Sequence, residues 1–134
     1  MKLDLSSLEL AVSSLGIALE RYSQEPSDLV VQDSVIQRFE LTYGLTLKIM
    51  KRFLVSASDN TDEVEGMTFQ QKIRAANENG LLKSDYETWM NYREKRNVTS
   101  QAYDGENVQE VMQSVKPFYE EAKYLLEKLK EHNG

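Results

Sequence analysis

With 134 residues the chain can close one hydrophobic core without staples, so a single domain over residues 1–134 is expected, its core between about 5 and 130. There is no cysteine and the one histidine, His132, is near the end of the chain, which excludes disulfides, thiol chemistry and cysteine-based zinc, leaves little for a histidine catalyst, and suggests no metal site. The net charge of −6 argues against nucleic-acid binding through the global field, but it is uneven: residues 1–67 hold 6 bases against 11 acids, and residues 68–134 hold 10 against 11.

Met1-Lys2-Leu3-Asp4 opens without a long apolar run, so no secretory signal is expected. No window reaches the apolar length of a membrane span, and the expected setting is the cytoplasm. Ser6-x-x-Glu9 has the form of a capping box. Leu8, Val12, Leu15, Leu19 and Tyr22 then recur at helical spacing and predict a helix over 6–24, ended at Glu25-Pro26-Ser27. A second helix starts between Asp28 and Asp33 and runs to about Ser56 on Val35, Phe39, Tyr43, Leu47, Met50 and Leu54. Its apolar residues cover more than one stripe, so one side is expected to face the bundle and another a second subunit. Arg38 and Glu40 interrupt this run; they are either solvated or functional. Lys48, Lys51 and Arg52 read as cations placed against the helix dipole.

Residues 59–66 carry four carboxylates and no base, and lack the calcium-hand pattern, so a solvated loop is expected. Thr68-x-x-Gln71 caps a third helix ending at Gly80, and Ser84-x-x-Glu87 caps a fourth. Asp104-Gly105 reads as a turn, and a fifth helix covers about 106–131 with Pro117 predicting a kink or break. The sum is an all-α chain: an up-down four-helix bundle with an additional short helix.

The fourth helix turns polar on every face after Tyr92, and from Arg93 to Gln101 the only apolar side chain is Val98. If the helix continued, Arg93, Arg96, Asn97 and Ser100 would form one stripe, with Tyr103 returning near the azimuth of Arg96. A guanidinium, an amide, hydroxyls and a phenol on one face could hold a phosphate or a nucleobase. The alternative is an exposed helix terminus with bases set against its dipole.

The segment from Asp33 to Tyr43, then Asn79-Gly80-Leu81-Leu82, then Arg96-Asn97-Val98-Thr99-Ser100-Gln101-Ala102-Tyr103 resembles the nucleotidyltransferase substrate-binding proteins of the HEPN superfamily, and within it the HepT-like partners of minimal nucleotidyltransferases. The resemblance runs from about Leu5 to Leu129 and implies a HEPN-like helical bundle that forms a homodimer. It also implies a partner, a separate minimal nucleotidyltransferase chain that carries the metal-binding carboxylates. Magnesium and a nucleoside triphosphate would then be bound through that partner, with no cofactor on this chain alone. Related members are ribonucleases with an Arg-x4-6-His motif, extended in HepT-like members to Arg-x4-His-x-Tyr, whose tyrosine accepts a nucleotide.

Carried over, the arginine is Arg96, the tyrosine Tyr103, and the histidine position is Gln101. Metal-free RNA cleavage needs a group that moves protons near neutral pH, and a glutamine amide does not titrate there. The expectation is a non-catalytic substrate-binding or regulatory subunit. Its substrate or nucleotide residues are Arg96, Asn97, Thr99, Ser100, Gln101, Tyr103, Arg38 and Glu40, with Tyr103 a candidate for nucleotidylation. The alternatives are a HepT-like ribonuclease toxin, neutralised by a nucleotidyltransferase antitoxin, and a purely structural helical dimer.

Overall fold

The computed structural model describes residues 2–99 and 105–134. It is all-helical, with no strand among the described residues. Helix α1 spans Ser6–Gln24, α2 Leu29–Ala57, α3 Thr61–Glu65, α4 Phe69–Glu78, α5 Tyr86–Asn97 and α6 Gly105–Asn133. The long helices α1, α2 and α6 pack on one another, and α4 and α5 close the bundle against α2 and α6. The fold class read from periodicity therefore holds.

The caps decide the element starts, and two differ from expectation by a residue or two. The Ser6–Glu9 capping box does not form; Asp4 Oδ1 instead accepts from the Ser6 amide at 3.0 Å and its hydroxyl at 2.6 Å. At α5 the cap is Asp85, not Ser84, with its carboxylate accepting from the Thr88 amide. Those bonds hold both aspartates below the usual carboxylate range. Asp28 caps α2, and Thr68 with Gln71 forms the expected reciprocal box on α4. Gly80, at φ 74°, supplies the left-handed residue after α4, and the Leu81 amide returns to the Ala76 carbonyl.

Two further expectations are corrected. The acidic stretch is not a bare loop: it folds into α3, capped by Asn60, because Val64 buries and Glu65 pairs with Lys51 at 2.8 Å. Helix α6 is not broken at Pro117: it stays one element, with Phe118 and Val115 buried on either side. At the end of α6 the His132 ring packs edge-on to Phe53 at 4.8 Å, while Asn133 exchanges two hydrogen bonds with the backbone of Leu3.

The core centres on Phe118 of α6. Its ring meets Phe39 at 5.1 Å, Tyr92 at 5.4 Å, Tyr43 at 6.0 Å and Trp89 at 6.2 Å, mostly edge to face. The buried Glu121, one turn on, fastens the segment after α4 by accepting from the Lys83 amide at 2.7 Å. The second side of α2 is not packed within the chain: Leu41 is exposed, and nothing lies near a Cβ built on Gly44.

Candidate functional site

The two flanks of α2 divide the charged residues singled out in the sequence. Arg38 and Glu40 are two residues apart, about 200° around the helix. Arg38 turns to α1, where its guanidinium donates to the Ser14 carbonyl at 2.8 Å. Thr42 beside it donates to the carbonyls of Arg38 and Ala11. Glu40 turns to α5, where its carboxylate lies 3.8 Å from the Arg96 guanidinium. The structure thus brings Glu40 and Arg96 together and does not bring Arg38 to them.

Helix α5 does not run through the polar stretch. It ends at Asn97, and the Val98 amide returns to the carbonyls of Arg96 and Glu94. Of the expected stripe, α5 carries Arg93, Arg96 and Asn97. Ser100, Gln101, Tyr103 and the Asp104 half of the expected turn lie outside the described residues. Thr99 is buried, and its hydroxyl donates to the Arg96 carbonyl at 2.7 Å, so it fastens the helix end and does not face outward. Asn97 is exposed.

Around this end stand Tyr43, which the sequence did not mark as a site group, and Arg93, a member of the expected stripe. Tyr43 is a core residue whose hydroxyl is buried with no hydrogen-bond partner among the described residues. Burial pushes its pKa up to about 12, against the pull of Arg93 and Arg96, which both act on it. Arg93 lies over the Phe69 ring, 4.7 Å from its centroid. The signal in the sequence was a tyrosine where a phenylalanine would fill the core: an orphaned hydroxyl costs desolvation unless something meets it.

The Arg96–Glu40 pair is loose, and both side chains are about 40% exposed (41% and 36%). Such a pair contributes at most ~1 kcal/mol, so the guanidinium can leave it for an anion. No group of three or more carboxylates or histidines among the described residues converges as metal ligands.

Residues 3–131 match the family described as nucleotidyltransferase substrate binding protein like. A Haemophilus influenzae relative described as probable ribonuclease HepT is 37% identical over 142 residues, covering 98% of this chain and 95% of the relative. A solved H. influenzae structure, described as revealing the fold of a substrate binding domain of a nucleotidyltransferase, superposes with a TM-score of 0.86 at 34% identity, covering 95% and 99% of the two chains. No helix among the described residues is long and apolar enough to cross a membrane. A match spanning 3–131 and a relative aligned over nearly its full length mean that this chain belongs to the nucleotidyltransferase substrate binding protein-like family.

Proposed function

We propose that this chain is the non-catalytic substrate-binding or regulatory subunit of a two-component cytoplasmic nucleotidyltransferase, holding nucleotide or acceptor substrate at the end of α5. The observation that carries this reading is Arg96: half-exposed, weakly held by Glu40, and next to the exposed Asn97. A bidentate bond from a guanidinium to phosphate contributes about 1.5–3 kcal/mol, more than the exposed pair it replaces. Gln101 and Ser100 supply further hydrogen-bonding groups in the same stretch. The partner is a separate minimal nucleotidyltransferase chain, and magnesium and the nucleoside triphosphate enter with it. The family description and the solved relative support that association.

In this reading the chain works as a homodimer through the outer side of α2, where Leu41 is exposed and Gly44 has open space. Two copies of Arg96 would then flank one cleft, which suits a polyanion. Solution scattering should give a dimer at micromolar concentration, and a monomer would count against this assembly.

Tyr103 is the acceptor in any self-modification. Its phenol oxygen forms a bond to the α-phosphorus of the triphosphate, pyrophosphate leaves, and the phenol proton passes to a base of the partner. The experiment is co-purification with the partner, incubation with magnesium and each nucleoside triphosphate, and intact-mass analysis. Tyr103→Phe should remove any added nucleotide mass without unfolding the chain.

A second reading, a ribonuclease, is favoured by the relative described as probable ribonuclease HepT. Against it stands Gln101, which cannot act as a general base. The purified chain should leave RNA intact, and Gln101→His should restore weak cleavage. Strong cleavage by the unmodified protein, lost in Arg96→Ala, would establish the second reading over the first.

A further inference from the structure

Tyr43 brings the core a group that packing does not use. Its ring meets Phe39 at 6.3 Å and Phe118 at 6.0 Å, contacts that a phenylalanine would also make. Its hydroxyl is buried with no hydrogen-bond partner among the described residues. The buried threonines of α2 behave otherwise: Thr42 donates to the Arg38 and Ala11 carbonyls, and Thr46 to the Tyr43 carbonyl. A lone buried O–H costs free energy unless something meets it. Trp89 Nε1 and Glu121 Oε1 also lack partners, but only Tyr43 stands one turn along α2 from Glu40.

The packing of α2 on α5 fixes its place. Glu40 meets Arg96, and Leu47 shares a cleft with Arg93. Tyr43 is one helical turn from Glu40 and one from Leu47, so it falls between the two guanidiniums. Both cations act on its phenol. Of the two, Arg96 is held only loosely, by Glu40 at 3.8 Å.

We propose that the Tyr43 hydroxyl is the inner donor of the anion site at the end of α5, and that it takes an oxygen of a terminal phosphate. This rests on the proposed function and names the group that the ligand presents there. When Arg96 leaves Glu40 for the phosphate, one oxygen passes below the guanidinium and accepts from the Tyr43 O–H. Arg96 then holds the phosphate from outside and Tyr43 holds it from inside. Because the hydroxyl is closed off from solvent, the oxygen must enter on a narrow end. A phosphate bonded onward through one oxygen only, as in pyrophosphate or at the end of a nucleoside triphosphate, offers such an end. A phosphate bonded onward through two oxygens is held out by its substituents.

The test is calorimetric titration of the full chain with pyrophosphate, and with a dinucleoside monophosphate, in wild type, Tyr43→Phe and Arg96→Ala. Pyrophosphate is transparent in the near ultraviolet, so tyrosine difference absorption is read on its samples. Tyr43→Phe should bind pyrophosphate about tenfold more weakly, the loss expected for one hydrogen bond to a charged group, while melting no lower than wild type. Pyrophosphate should perturb the tyrosine absorption of wild type and not that of Tyr43→Phe, a difference that a merely structural hydroxyl would not produce. The dinucleotide should bind these two proteins alike. Wild-type affinity in Tyr43→Phe, with Arg96→Ala weakened, would overturn the proposal and leave the proposed function standing. Unchanged binding in Arg96→Ala, or no binding by wild type, would overturn both. A lower Tm in Tyr43→Phe would also overturn the proposal, because the hydroxyl would then be satisfied within the chain. So would a difference spectrum that survives in Tyr43→Phe, or an equal loss of affinity for the dinucleotide.

Discussion

The two flanks of α2 hold charged and hydroxyl side chains of similar kind and treat them oppositely. Towards α1, Arg38 and Thr42 spend their donors on carbonyls at 2.7–3.3 Å. Towards α5, Glu40 meets Arg96 at 3.8 Å, and the Tyr43 hydroxyl has no partner among the described residues. A satisfied flank fixes the hairpin of α1 and α2. A flank left loose contributes little to folding and keeps its groups available to a ligand. Substitutions on the first should therefore register in stability, and substitutions on the second in binding.

The largest effect should come from removing the floor shared by the core and the loose flank. Phe118→Ala deletes the ring that touches Phe39, Tyr43, Trp89 and Tyr92, and should cost about 3–5 kcal/mol in denaturant unfolding. A loss under about 1 kcal/mol would mean the bundle does not rest on this ring.

Next comes the satisfied flank. Arg38→Ala removes a charged donor from the Ser14 carbonyl and should cost about 1–3 kcal/mol, with ligand binding by the folded protein unchanged. If instead it spared stability and abolished nucleotide binding, Arg38 would belong to the site and the division between flanks would fail.

A smaller effect, of opposite sign, belongs to Tyr43. Deleting a buried hydroxyl that has no partner should leave stability unchanged or raise it by up to about 1 kcal/mol, so Tyr43→Phe should melt no lower than wild type. The same residue sets an alkaline limit. Its folded pKa, like that of Tyr92, stands at about 12, above the ordinary value of 10.0. The unfolded chain ionises first as pH rises, so this stability is complete below pH 10 and is lost between about 10 and 12. Tyr43→Phe should flatten that part of the pH–stability curve, and an unchanged curve would show that Tyr43 ionises equally in both states.

Much of this was legible in the sequence where many residues voted together. Leu8, Val12 and Leu15, or Val111, Val115 and Phe118, repeat often enough that periodicity alone places α1 and α6. Helix α3 was hidden because five residues with one apolar side chain, Val64, have no period to read. The caps slipped because aspartate sits within two residues of serine at both Asp4 and Asp85, and either could accept the free amides. The candidate site was half legible. The polar run marked the end of α5, but only the positions of α1 and α5 around α2 separate Arg38 from Glu40.

The central claim is that the loose flank is a binding site. The direct measurement is titration of nucleoside triphosphate into the chain with its nucleotidyltransferase partner, comparing wild type with Arg96→Ala and following Tm in the same samples. The account predicts binding weakened tenfold or more, about 1.4 kcal/mol, with a stability change under about 1 kcal/mol. Unchanged partner-dependent binding in Arg96→Ala, and again in Tyr103→Ala, would make the end of α5 a plain helix terminus and contradict the account.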